Sequence, residues 1–183
     1  MKITKSIVLP LSFACVTLVS AAYAAAGEAP RVDRTQMEKV QKILDDTLLR
    51  FTTDNSHTLI GLTRGVYLDG VGAIFTAEVI VVNAQVSIMH PLPTKEEVVQ
   101  MRKKKLERIP ILRRVLKDAL VSAAAALETV PPDEQVVIAL ILPRYQFEDP
   151  AGVPAQMTVQ ATKRKLLESK GAALDALIRV TEN

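Results

Sequence analysis

The two histidines of the chain, His57 and His90, are the first residues to consider for catalysis or metal binding. They match neither an H-E-x-x-H motif nor a pair at i and i+4, and a single cysteine cannot complete a zinc site. A two-histidine site would need a carboxylate from Asp54, Asp69 or Glu78. The spacing therefore predicts no metal or other cofactor, and it favours solvated loop positions for both histidines.

Candidate nucleophiles and phosphate-binding glycines do not form a catalytic pattern either. No serine lies in a G-x-S-x-G sequence, and Ser56 is adjacent to His57, which is not how a nucleophile meets its base. Glycines are frequent around Asp69, but no G-x-G-x-x-G or G-K-[ST] sequence is present. We predict no catalytic residue, and we favour binding or assembly over catalysis. The alternative is a small envelope hydrolase with a site near His57 and His90.

Basic side chains are concentrated in one segment, which is the surface feature that most favours a binding function. The candidate contacts in that segment are Arg102, Lys103, Lys104, Lys105 and Arg108. A cluster of this kind fits an envelope protein or an anionic membrane surface. At 100° per residue these cations spread around a helix, which also fits an ordinary solvated surface. An anionic partner for these five residues is therefore a hypothesis.

The composition narrows the class of partner. Of 183 residues, 49% are hydrophobic and 23% are charged, as in a globular protein with a core. Aromatic residues make up only 4%, with no tryptophan, which disfavours a nucleic-acid stacking surface. The net charge of +3 falls to +1 if Lys2 and Lys5 are removed with an N-terminal signal. The overall charge therefore indicates no anionic partner, and an exported protein would rarely meet cytoplasmic nucleic acid.

Residues 1–26 have the form of an export signal. Two lysines precede an apolar run from Ser6 to Ser20, and an Ala-x-Ala sequence ends at Ala24. We expect cleavage after Ala24, or after Ala26 as the second choice, and a periplasmic or secreted protein. The alternatives are an uncleaved anchor that carries a sensor or partner domain, or lipidation at Cys15. Residues 27–183 are predicted to form a single domain without disulfides.

Two β-rich runs flank Asp69-Gly70, a dipeptide that favours a two-residue hairpin turn. With that turn Leu68 faces Val71, and most aliphatic side chains fall on one face of the hairpin. The members of that predicted apolar face are Ile60, Leu62, Val66, Leu68, Val71, Ala73, Phe75, Ala77, Val79 and Val81. We expect this face to need a cover.

Helices are predicted on both sides of the hairpin. Capping boxes at Thr35–Glu38 and Thr94–Glu97 open them, the first helix ends near Phe51, and Pro110 either kinks the second or divides it. The most regular apolar stripe runs through 111–129. Strands follow at 136–142 and 155–162, and a final helix covers 163–180 with an interruption at Gly171.

Together these elements predict an α+β fold. The order is α-ββ-α(kinked at Pro110)-ββ-α, with a four-stranded antiparallel sheet from two hairpins and helices packed mainly on one face. The two αββ halves suggest a duplication, although no residue-level repeat supports one. The sequence predicts no oligomeric state.

Overall fold

The computed structural model describes residues 32–52, 58–84 and 92–183. The elements are α1 (Arg34–Thr52), β1 (Thr58–Leu59), β2 (Arg64–Leu68), β3 (Gly72–Ile80), α2 (Lys95–Ala126), β4 (Gln135–Ile141), β5 (Gln156–Thr162), α3 (Lys163–Glu168), α4 (Gly171–Leu177) and β6 (Arg179–Glu182). The α+β class is confirmed. The predicted export signal lies outside the described residues.

The sheet is mixed rather than antiparallel. β2 pairs with the first part of β3, and β1 pairs with its end. Beyond β3, the order across the sheet is β4, β5 and β6. β3 and β4 run parallel, with Gly72 beside Gln135 and Glu78 beside Ile141. The other pairs are antiparallel. The predicted four-stranded antiparallel sheet is therefore wrong, because one pair is parallel and because β6 adds a strand after the final helices α3 and α4.

Helix α2 accounts for the parallel pair. At 1.5 Å per residue its 32 residues extend about 48 Å, which returns the chain to the end of the sheet where β3 begins. β4 then starts beside Gly72 and runs in the same direction as β3. The helix is one element that continues through Pro110, so this proline does not divide it. Pro110 removes one donor from the helical hydrogen bonds.

The first hairpin has a register that differs by one residue from the predicted one. Leu68 faces Gly72 rather than Val71, because Val71 belongs to the turn and its N–H donates to the carbonyl of Leu68 at 3.0 Å. Gly72 opens β3 with a φ of 128°, and a Cβ there would lie 1.9 Å from the carbonyl oxygen of Gln135. The close approach of β4 thus requires glycine at this position.

The register shift divides the predicted apolar face. Ala73, Phe75, Ala77 and Val79 are buried, whereas Val66, on the other side of the hairpin, is 51% exposed. The exposed members of the predicted face are Ile60, Leu62, Val66, Leu68 and Val71. An odd number of turn residues moves every β2 side chain to the opposite face.

The core lies between one face of the sheet and the helices. The strands contribute Ala73, Phe75, Ala77, Val79, Val136, Ile138, Leu140, Met157, Val159 and Ala161. The predicted apolar stripes of α1 and α2 cover them, and their buried members include Met37, Val40, Leu44, Leu48, Leu112, Leu116, Leu120 and Ala123. We call this side the covered face and the opposite side of the sheet the open face.

The caps of the helices match the predictions in part. Thr94 and Glu97 form the expected capping box at the start of α2, with distances of 3.2 and 2.7 Å between side-chain oxygens and backbone nitrogens. At α1 the predicted box at Thr35 is wrong, because Asp33 caps the helix and its carboxylate accepts from the N–H of Thr35 at 2.9 Å. Gly171, with a φ of 58°, begins α4 at the position of the predicted interruption.

Candidate binding surfaces

The predicted basic segment lies in the first half of α2, and the structure separates its five cations. Lys103 and Lys104 are exposed. Arg102 is half-buried, donates to the carbonyl of Ala151 at 2.8 Å and lies 3.4 Å from the Asp149 carboxylate. Arg108 is half-buried, and one of its guanidinium nitrogens lies 3.4 Å from the carbonyl oxygen of Val81.

Lys105 is buried, so its predicted solvated position is wrong. Its ammonium forms an ion pair with the buried carboxylate of Glu148, in the loop between β4 and β5. The ring of Tyr145 lies 6.0 Å from the ammonium and stacks on Phe147 with a centroid distance of 5.2 Å. A buried charge requires such a partner, because desolvation of an unpaired ammonium is costly. Lys105 therefore holds the loop against α2 and is not available to a partner.

An amphipathic stripe remains on the outer side of α2. Val99, Lys103, Leu106 and Pro110 follow one another at i, i+4, i+7 and i+11, which places them on one side of the helix. Val99 is 64% exposed and Leu106 is 41% exposed. Among the described residues, a groove of about 400 Å³ here is lined by Val99, Arg102, Lys103, Leu106 and Glu107. We call the four positions Val99, Lys103, Leu106 and Pro110 the α2 stripe.

The open face is a second surface with exposed aliphatic side chains. Paired residues form rows across the strands: Val66, Ile74, Val137 and Gln160 in one row, and Arg64, Thr76, Ala139 and Thr158 in the next. A third row begins at Glu78 and continues through Ile141, which is 43% exposed. No helix of residues 32–52 or 92–183 packs on these rows. The aliphatic half of the open face lies on β2, β3 and β4.

A hollow of about 210 Å³ lies at the β1 end of the open face. Arg64 and Glu78 bring opposite charges to its wall, and the wall also includes Ile141 and Thr76. The other lining residues are Ile60, Gly61, Leu62 and Ala77. Both charged side chains are exposed, so the hollow presents a cation and an anion to solvent.

Glu134 connects the hairpin turn to the start of β4. One of its carboxylate oxygens accepts from the hydroxyl of Tyr67 and from the N–H of Gly70, each at 3.1 Å. Burial, followed by the hydrogen bond to Glu134 and the charges of Glu134 and Asp69, raises the pKa of Tyr67 to about 12. The neutral phenol is therefore the form that the fold stabilises. These contacts fix the turn rather than form an exposed site.

Lys163 is a second buried lysine, at the end of β5. Its ammonium donates to the carbonyls of Glu128 and Val130, at 3.0 and 2.7 Å, just beyond the C-terminus of α2. Burial lowers the pKa of Lys163, and the nearby Glu128 carboxylate opposes that shift. The side chain thus satisfies two backbone carbonyls of the segment that follows α2.

The histidine hypothesis concerns residues that the structure does not describe. His57 and His90 lie at 53–57 and 85–91, outside the described ranges, and so does Asp54. Within the described ranges, no three histidine, cysteine or carboxylate side chains cluster as metal ligands would. Searched over the same residues, no helix is long and apolar enough to cross a membrane.

Comparison of the chain with protein-family models, with curated proteins and with solved structures gives no match. The functional argument therefore depends on the two exposed surfaces alone.

Sequence reasoning found the α2 segment and expected helices mainly on one face of the sheet, but it missed the aliphatic side chains on the open face. The missed signal was the alternation of Val137, Ala139 and Ile141 with the core residues of β4, because a continuous aliphatic run predicts burial on both faces. The ion pair of Lys105 was also missed, because its carboxylate partner is more than forty residues away.

Proposed function

We propose that the protein is exported and acts as a binding module in the cell envelope, with the α2 stripe as its contact with an anionic membrane surface. The observation that carries this proposal is the exposure of Val99 and Leu106 beside Lys103 on one side of α2. Exposed aliphatic side chains enter the headgroup region of a bilayer, and lysines beside them pair with anionic headgroups.

Two further cations lie on the same side of α2 and support its contact with an anionic membrane. Lys95 and Arg114 are exposed and lie within about 60° of Val99 around the helix, at 100° per residue. Glu96 and Glu107 flank the stripe too, so attraction to anionic lipid depends on local geometry rather than on a large net charge. The proposed contact is therefore shallow and reversible.

Vesicle binding tests this contact. The double variant Lys95→Gln/Lys103→Gln should lower the partition coefficient on phosphatidylglycerol vesicles by about tenfold or more, since each lysine near the surface contributes about 1 kcal/mol. Wild-type binding should weaken as salt is raised and should be absent on phosphatidylcholine vesicles. Lys105 is left unchanged, because its buried ion pair with Glu148 serves the fold.

The matched control is Lys39→Gln/Lys42→Gln, which removes two exposed lysines from α1. It changes the net charge by the same amount and should retain binding. Equal loss in both double variants, or equal binding of wild type to both kinds of vesicle, would overturn the membrane contact. Wild type that binds neither kind of vesicle would overturn it as well.

Export is tested separately. We propose that the mature chain begins at Ala25, or at Gly27, in the periplasm or the medium. N-terminal sequencing of protein recovered from these fractions should give one of those two residues. An intact Met1 on membrane-bound protein would support the uncleaved anchor instead.

A further inference from the structure

We infer that the open face is a self-association surface on which a second copy of this chain packs, sheet against sheet. The open face carries aliphatic side chains on three adjacent strands: Val66 and Leu68 of β2 and Ile141 of β4 are exposed, and Ile74 of β3 is half-buried. Among residues 32–52, 58–84 and 92–183 no element covers them. The proposed contact is separate from the α2 stripe, which lies on a helix of the covered side.

The size of the open face is suited to a dimer. The strands β2 to β6 have 5, 9, 7, 7 and 4 residues, which is about six on average. At about 4.8 Å between strands and 3.3 Å per residue they give a surface of about 24 by 21 Å. That is about 500 Å² in plan, and the relief of the side chains increases the accessible area. Each partner in a stable interface of standard size buries about 800 Å². The whole face of the sheet, rather than one pocket, is therefore the proposed contact.

The charges on the open face are complementary to themselves. Arg64 pairs with Thr76 across β2 and β3, and Glu78 lies two residues further along β3, so opposite charges occupy adjacent rows. A two-fold axis that runs across the strands between Thr76 and Glu78 brings Arg64 of each copy toward Glu78 of the other. An isologous contact of this kind uses the same residues twice.

The same axis places aliphatic side chains opposite one another. The axis lies between the rows of Thr76 and Glu78, so residues at equal distances on its two sides face each other. Ala139 of one copy therefore faces Ile141 of the other, and Ile74 faces Ile80. Short threonine side chains at Thr76 and Thr158 allow the sheets to approach to about 10 Å, the usual spacing of packed sheets. Arg64 and Glu78 cancel in charge, so the aliphatic half offers little attraction to an anionic or cationic partner, which favours a second copy.

Sedimentation equilibrium of the purified mature chain tests the association. We expect a reversible monomer–dimer equilibrium in which most of the chain is dimeric at about 200 μM. Ile141→Arg should raise the dimer dissociation constant by about tenfold or more, because a cation then enters the centre of the contact. The control Leu167→Arg changes a side chain of similar exposure, 47%, on helix α3 and should leave the equilibrium unchanged.

A charge exchange tests the axis itself. Arg64→Glu should weaken the dimer by placing like charges together, and Arg64→Glu/Glu78→Arg should restore it. A merely structural role for Arg64 would not give this rescue. Rescue supports the proposed two-fold axis, whereas two single losses without rescue overturn it.

Thiol cross-linking decides the outcome if an arginine variant fails to fold. The mature chain that begins at Ala25 lacks Cys15, the one cysteine of the sequence, so Ala139→Cys gives each copy a single thiol. Across sheets about 10 Å apart these two thiols are too far from each other for a disulfide, so a bismaleimide linker of about 10 Å is used. The linker should give a covalent dimer of Ala139→Cys and should not give one of Leu167→Cys. Equal cross-linking at both positions, or wild type that stays monomeric at about 200 μM, would overturn the inference. Neither variant touches the α2 stripe, so vesicle binding should persist in both.

Discussion

The two faces of the sheet have the same strands but opposite surroundings. On β4, Ile138 is 1% exposed beneath the helices, whereas Ile141, three residues later, is 43% exposed on the open face. Both residues are isoleucines, and both belong to one continuous aliphatic run of the sequence. Aliphatic character therefore marks this strand as central to the sheet but does not tell how many of its faces are covered.

The largest expected effect is the difference in stability between substitutions at these two isoleucines. Ile138→Ala should lower the free energy of unfolding by about 2–5 kcal/mol, because it leaves a cavity in the core. Ile141→Ala should cost less than about 1 kcal/mol, since much of its side chain already contacts water. Urea denaturation at low protein concentration measures both values for the monomer. Equal costs would mean that the open face is covered within the single chain.

The next effect concerns the position where β3 and β4 approach most closely. Gly72→Ala should destabilise the fold by about 2–4 kcal/mol, because its Cβ would overlap the carbonyl oxygen of Gln135 and φ is positive. Gly70→Ala is the matched control, with positive φ but no atom within 4 Å of the new Cβ. It should cost about 1 kcal/mol. Similar losses in the two variants would contradict the close approach of β4.

A smaller effect is expected for the stability at alkaline pH, and it depends on Tyr67 on the covered side of β2. Because the pKa of Tyr67 in the folded protein is about 12, above the ordinary value near 10, its stabilising contribution is present below pH 10. The contribution is then lost as the pH rises toward 12. The stability difference between wild type and Tyr67→Phe should therefore shrink over this range.

Absorbance at 295 nm assigns the titration, with Tyr145→Phe as the reference for the other described tyrosine. Glu134→Gln should move the pKa of Tyr67 only part of the way toward its ordinary value, since burial is the largest cause of the shift. A Tyr67 phenol that titrates near pH 10 in wild type would contradict the burial and the hydrogen bond to Glu134.

The smallest expected effect distinguishes the two hairpin registers. Val66→Thr should change the free energy of unfolding by less than about 0.5 kcal/mol, because Val66 is on the open face. In the register with Leu68 opposite Val71, the same substitution would bury a hydroxyl and cost about 1–3 kcal/mol. The free energy of unfolding of this one variant therefore distinguishes the two registers.

Local patterns in the sequence were sufficient for most elements. The apolar stripes of α1 and α2, the capping box at Thr94 and the strands β4 and β5 all follow from residue spacing within a few turns or pleats. The α+β class follows from their order. These features depend on contacts between near neighbours, which a single sequence contains.

The remaining features depend on distant residues. The turn length of the first hairpin depends on Gly72 meeting Gln135, and the direction of β4 depends on where α2 ends. Lys105 looked solvated because its partner, Glu148, comes from a loop on the far side of β4. For the candidate surfaces, the basic segment was found but its free and bound cations could not be separated without these contacts.

The parallel pairing of β3 and β4 also constrains the order in which the chain can fold. The residues that pair, such as Gly72 and Gln135, are about sixty residues apart in the chain, whereas β2 and β3 are joined by a short turn. The hairpin can therefore form early, but the centre of the sheet must wait for α2, at the entropic cost of closing a long loop. During that interval the aliphatic edge of β3 is exposed, and newly made chains at high concentration are then most prone to aggregate.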